Sequence, residues 1–285
     1  MRTFPFPIRA AIICAATVCA TTIGGAQAPS WSAGVAAGQL KFSDGSKESA
    51  LGATVVAHIW DWLDVSVNPT YAWAQGVAVR LSPTITTPAR SVSGFTDLPV
   101  SVGASHALPG EWSPSVGLSL GVTLPTADTA SFGSGRTAVG ASMSFGIAPS
   151  DDLWFSIGAG RSLSNGFSAA LASSSSTSLA LSGGTTAGPL HVSGSLSGDV
   201  GAVAAGFESA RSIAVGMALP VTTGMSLTLD GSAGLTTGSP TWAYSIGFGT
   251  TASGIAAASI APYQRLRQAF GAGTNAKNKP KTGKR

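Results

Sequence analysis

The sequence predicts an all-β fold, a transmembrane up-and-down antiparallel β-barrel of about 12 strands, and three observations predict it. First, charged residues are only 10% of the 285 residues while mean hydropathy is +0.30, where a soluble domain carries about 25% charge. The remaining polarity is small and uncharged, with 37 glycines, so the outside of the chain does not face water. Second, apolar and small residues alternate with period 2. Val116, Leu118, Leu120, Val122 and Leu124 alternate with Gly117, Ser119, Gly121 and Thr123, and Ile213, Val215, Met217 and Leu219 with Ala214, Gly216 and Ala218. Third, the alternating segments have the roughly 9 to 11 residues of a tilted membrane strand, joined by connections that are short and long in turn.

The first element, residues 1–26, reads as a secretory signal peptide. It has a basic start (Arg2, Arg9), an apolar stretch from Ala10 to about Ala20 and small residues at Gly24 and Ala26, with cleavage expected after Ala26. The stretch is shorter than the ~20 residues of a helical span. Both cysteines, Cys14 and Cys19, lie inside it, which leaves the mature chain without disulfide or thiol chemistry. No later segment approaches a helical span, so entry into a membrane requires a closed barrel, the only sheet that satisfies every backbone group in lipid.

Residues 27–252 form the expected barrel. Strands fall near 30–42, 48–60, 64–75, 96–108, 113–125, 135–147, 153–164, 175–186, 190–200, 209–220, 225–236 and 241–251. Tight turns are expected at Asp61–Leu63, Pro109–Trp112, Ala148–Asp152, Ala187–Pro189 and Val221–Gly224, and the longest link is Gly76–Phe95. A soluble sandwich would place Lys, Glu and Arg on the face opposite its core; here that face is Gly, Ser, Ala and Thr. Such residues suit the crowded inside of a cylinder, and Leu, Val, Met and Phe suit lipid outside it. A solenoid would need a fixed short repeat, and the spacing is irregular. Trp31, Trp60, Trp62, Trp112 and Trp154 fall at strand ends on the short-turn side, and Trp73 and Trp242, with Tyr71 and Tyr244, on the long-loop side, as the two aromatic belts of a membrane barrel would.

The last element, residues 253–285, is a basic tail. Pro262–Phe270 can form a short amphipathic surface helix, and the low-complexity remainder is expected to be disordered. The tail after Ala261 holds seven basic residues and no acid, whereas residues 27–261 hold 7 basic and 12 acidic ones. This split excludes a nucleic-acid reading, because the body has no basic stripe. Either the tail is solvated or it touches an anionic periplasmic surface.

Asp97–Val102 (DLPVSV), Leu124, Pro125 and Thr126 at a strand end, and the loop Gly133, Ser134, Gly135, Arg136 and Thr137 resemble the transporter-like outer-membrane barrels associated with meta-pathway phenol degradation. The final hairpin SLTLDGSAGLTTGSPTWAYSIGFG is similar to that family's closing hairpin. The resemblance covers most of residues 30–251 and implies an outer-membrane channel admitting hydrophobic or aromatic compounds, with no catalytic residues to carry over. Ala127 stands where the family usually has Gly, and the chain continues past the last strand where such barrels usually end on an aromatic residue.

Functional residues are sought in the lumen. By parity Asp230 points inward near mid-strand, Asp199 and His191 nearer the ends of theirs, and His58 near the short-turn rim. A carboxylate at membrane depth must meet water or a basic group. The loop 76–95 carries Arg80 and Arg90; either it folds inward as a constriction that brings an arginine near Asp230, or it stands as a solvated extracellular loop. A hydrolase is the enzyme alternative, but Ser105 and His106 are strand neighbours facing opposite ways, and three dispersed histidines give no metal-ligand spacing. The expected function is passive passage of small solutes across the bacterial outer membrane, without cofactor or nucleic acid. A non-conducting envelope barrel is the alternative.

Overall fold

The structure, a computed structural model, describes residues 30–76, 79–80, 86–87, 91–128, 132, 137–164, 174–200, 209–236 and 239–250. It is a closed antiparallel barrel of 12 strands joined in chain order. The strands are β1 (Ser30–Lys41), β2 (Lys47–Trp60), β3 in two pieces (Leu63–Val67 and Thr70–Gln75) and β4 in two pieces (Ser91–Phe95 and Leu98–Ala107). Then come β5 (Ser115–Leu124), β6 (Ala138–Ser150), β7 (Leu153–Ser164), β8 (Ser174–Ala187), β9 (Leu190–Val200), β10 (Arg211–Thr222), β11 (Met225–Gly234) and β12 (Trp242–Thr250). Closure comes from β1, whose Ala36 lies opposite Gly52 of β2 on one edge and Gly247 of β12 on the other. Residues 1–26, expected to be a signal peptide, the basic tail 253–285, Arg90, Gly133 and Gly135 lie outside the described residues.

Alternation produces the barrel by sorting side chains to two faces. On β5, Ser119 is 3% exposed while its neighbours Leu118 and Leu120 are 53% and 54% exposed. A water-soluble sheet would show the reverse; the apolar face is turned outward, as it is in a membrane barrel. Two-residue turns join β2 to β3, β6 to β7, β8 to β9 and β10 to β11 at one end. At the last of these Gly224 takes φ 96°, a conformation that favours glycine in tight hairpins. The seven-residue connection 108–114 between β4 and β5 lies at the same end, and the remaining connections lie at the other.

The twelve expected segments correspond to the twelve strands, with one boundary displaced by five residues and the others within three. β4 begins at Ser91 instead of near residue 96, because Thr96 and Asp97 form a bulge that reverses the facing of the chain. Val92 and Gly94 share the inward face with Ala74 and Ala72, whereas below the bulge Pro99 and Ser101 point inward. A one-residue bulge interrupts period 2, which hides the upper piece from a pattern search.

The aromatic residues gather at both rims. Tyr71 packs edge-on against Trp73 and Phe95, and Trp242 stacks on Tyr244, at the long-loop end; Trp60 stacks on Trp62 at the short-turn end. Trp154 departs from the expected belt. It shares the face of Gly184 opposite it, where a Cβ would stand 2.7 Å from the indole Nε1. That face is the lumen, since the flanking Leu153 and Phe155 are exposed on the outer face of β7 and Ile157 shares that face.

Candidate functional site

The lumen wall is built mainly from hydroxyls and glycines. Ser66 pairs with Ser101 at 2.7 Å, Ser156 with Ser182 at 2.6 Å and Ser197 with Ser212 at 3.0 Å, each across two adjacent strands. These pairs satisfy one another without charge. Twelve strands spaced about 4.8 Å apart and tilted about 40° enclose a cylinder roughly 24 Å across between backbones. The small lining residues themselves fill little of that width.

Acids punctuate this lining. Asp230 projects inward from β11, and the Ser245 hydroxyl of β12 donates to it at 3.3 Å. Gly216 of β10 makes room for it, since a Cβ there would meet Asp230 Oδ1 at 2.7 Å and Ser193 Oγ at 2.8 Å. Asp199 faces inward on β9 opposite Ser178, and His191 sits at the exposed short-turn end of the same strand, 3.0 Å from Thr186 Oγ1. Glu48 also faces the lumen, at the long-loop end of β2 between Leu40 and Ala74, and its Oε1 is buried with no hydrogen-bond partner. Among the basic residues whose side chains are described, Lys41, Lys47, Arg161 and Arg211 all hold outward positions. Arg80 belongs to a short pairing of Val79–Arg80 with Thr86–Thr87. The described lumen is therefore acidic.

The structure also brings together three residues that are separate in sequence. His58 Nδ1–H donates to the Asp64 carboxylate across the β2–β3 hairpin, and its Nε2 accepts from the Ser32 hydroxyl of β1 at 3.1 Å. The carboxylate accepts only, which assigns the ring tautomer. The order resembles a Ser–His–Asp triad, but the access is reversed. Ser32 is 1% exposed, and the Asp64 side chain is the open end at 40%. A substrate carbonyl cannot approach Ser32 Oγ from the lumen, so the chain of bonds acts as a clasp on three strands at the short-turn rim. His106, by contrast, faces outward, exposed, opposite Val116.

At the long-loop end the two quoted motifs touch. Thr126 Oγ1 accepts the Leu98 N–H at 3.1 Å, and Asp97 Oδ1 accepts the Ala127 N–H, also at 3.1 Å. Leu124 and Pro125 thus end β5 against the β4 bulge, and the chain leaves the wall there. Phe132, farther along this connection, forms a parallel bridge with Thr96 and packs on Ala36, Ala50 and Ala72, all inward residues of β1 to β3. Among the described loop residues, the one seen entering the lumen comes from the β5–β6 connection. Sequence reasoning pointed instead to residues 76–95, of which 77–78, 81–85 and 88–90 lie outside the described residues.

No protein-family model matches the chain, and no curated protein matches it. Among solved structures, the chain is similar to an outer membrane channel from Pseudomonas putida F1, with TM-score 0.56 and 13% identity over 81% of this chain and 99% of that one. It is similar to the NanC porin with TM-score 0.51 and 13% identity, over 76% of this chain and 98% of that one. At this identity the likeness is one of fold: the chain has the closed barrel architecture that outer-membrane channels and porins use.

Proposed function

We propose that this protein is a bacterial outer-membrane channel for passive passage of small solutes, with hydrophobic or aromatic ones among them. The observation that carries the reading is the inversion of polarity: apolar side chains face outward all round, and a hydroxyl-lined, acidic bore lies within. A barrel meant only to anchor would gain packing energy from filling that bore, whereas Ser, Gly and Thr leave it wet. Phe132 on its bed of alanines supplies an apolar surface inside the bore and supports passage of aromatic solutes, the class that the resemblance to phenol-pathway barrels implies. It also narrows the bore, which is what a non-conducting barrel would show.

Liposome swelling separates the two readings. Vesicles holding the purified protein should swell in an isosmotic small neutral solute faster than empty vesicles, and more slowly as solute size rises. Swelling equal to that of empty vesicles would refute the channel. The contacts of the basic tail, proposed to be anionic periplasmic surface, are tested by removing residues 271–285 and following envelope association.

A further inference from the structure

One row of paired positions crosses the lumen face from β7 to β12. Trp154 lies opposite Gly184, Gly184 opposite Ser193, Ser193 opposite Gly216, Gly216 opposite Asp230, and Asp230 opposite Ser245. The two glycines let the ends of this row approach each other. The Trp154 indole leans across Gly184, where a Cβ would stand 2.7 Å from Nε1 and 2.8 Å from Cε2. From the other side Asp230 leans across Gly216, where a Cβ would meet its Oδ1 at 2.7 Å and Ser193 Oγ at 2.8 Å. Ser245 donates to Oδ2, which leaves Oδ1 as the oxygen turned toward the indole. Ring and carboxylate thus start four strands apart and end about two strand spacings apart, roughly 10 Å, with Ser193 between them. All three side chains are partly exposed, and because they point inward that exposure is to the bore. The described side chains of β7 to β12 put no Lys or Arg on this face; His191, two residues from Ser193, is its basic group.

We propose that the stretch of wall between Trp154 and Asp230 is a binding site for a quaternary, N-methylated ammonium ion. The methyl groups lie on the open indole face, which offers apolar contact and attracts the positive charge, tryptophan being the strongest side chain for this. The charge lies toward Asp230 Oδ1, which adds Coulomb attraction. A quaternary ammonium has no N–H, so it asks for no hydrogen-bond geometry, and its methyl groups give it the breadth to touch both ends of the site. Potassium keeps its water and gains nothing from the ring. A neutral solute of the same shape keeps the apolar contact and loses the charged one, and an anion is repelled by Asp230. The site deepens the channel reading by naming a solute class, and it rests on that reading only for the statement that the ligand crosses the membrane.

The test is saturation-transfer NMR of the choline methyl signal with the folded protein in a non-ionic detergent, at constant ionic strength in potassium chloride. Saturation should pass to choline, tetramethylammonium should displace it, and dimethylbutanol, the neutral carbon isostere of choline, should compete at least about tenfold more weakly. Trp154→Leu keeps apolar bulk without the ring and should weaken choline about fivefold, and more than it weakens dimethylbutanol, while Trp154→Tyr should keep most of the binding. Asp230→Asn should weaken choline about tenfold. Absence of transfer, equal competition by dimethylbutanol, or choline binding unchanged in Trp154→Leu overturns the proposal. The competition needs no variant, so it decides even if one fails to fold. The NMR measurement needs no conduction either: a barrel that binds choline without swelling vesicles refutes only the channel, and one that swells vesicles without binding it refutes only this site.

Discussion

Replacing His58 with alanine should destabilise the barrel by about 2–4 kcal/mol, through the rim clasp. Two bonds are lost, one to a neutral hydroxyl and one to a carboxylate. Ser32, 1% exposed, has no water to replace its partner, and an unsatisfied buried hydroxyl costs about 1–3 kcal/mol. Asp64 is open enough to rehydrate, so its share is set at the low end, about 1 kcal/mol. Ser32→Ala should then cost about 1–2 kcal/mol and Asp64→Ala about 1 kcal/mol. Because His58 links them, the double variant should cost less than the two singles together by at least about 0.5 kcal/mol. Urea unfolding in lipid vesicles, followed by tryptophan fluorescence, measures all four. Strict additivity, or a His58→Ala effect under about 0.5 kcal/mol, would refute the clasp. A fluorophosphonate probe should leave Ser32 unlabelled in the folded protein; labelling there would restore a hydrolytic reading.

Other perturbations have equally definite outcomes. Gly216→Val places methyls where Asp230 Oδ1 and Ser193 Oγ now lie; it should cost about 1–3 kcal/mol in the same urea assay, and Gly216→Ala should cost less. Asp97→Ala removes the acceptor of the Ala127 N–H and should raise the swelling rate for bulky solutes by loosening the start of the β5–β6 connection, with Asp97→Asn retaining most of the wild-type rate. In the β1–β2 turn, the hydroxyl and N–H of Ser46 donate to Asp44 and hold its carboxyl below the ordinary value. Since the folded value is depressed, the turn's stabilisation is full above the unfolded carboxylate range and is lost as pH falls through the lowered value. The protection factors of the turn's amides, exchange rates taken relative to the unstructured chain at the same pH, should fall on acidification in the wild type and stay flat in Asp44→Asn.

What could be read from the chain divides along physical lines. β5 and β10 were legible because each has one apolar and one small face, and a barrel wall in lipid needs nothing more. The upper piece of β4 was not, since the Thr96–Asp97 bulge inverts its parity. Asp230 was legible as an inward acid through its strand's alternation, whereas Glu48 opens the expected strand 48–60, where alternation has only begun. The Ser32–His58–Asp64 clasp left a faint signal: a two-residue turn at Asp61 and Trp62 brings His58 opposite Asp64, while Ser32 enters only through the β1–β2 register. Trp154 looked like a belt residue by position along its strand, and parity with Ser156 would have turned it inward. Phe132 left no local signal, because a connection's return into the lumen depends on the alanines of β1 to β3 that receive it.

The central claim is an open channel with an acidic lumen, and the reversal potential of single channels in a KCl gradient tests it most directly. Glu48, Asp64, Asp199 and Asp230 face inward with no described Lys or Arg side chain beside them, so the wild type should select K⁺ over Cl⁻, and Glu48→Gln with Asp230→Asn should reduce that selectivity. Absence of conductance in the folded protein, or preference for Cl⁻, would contradict it.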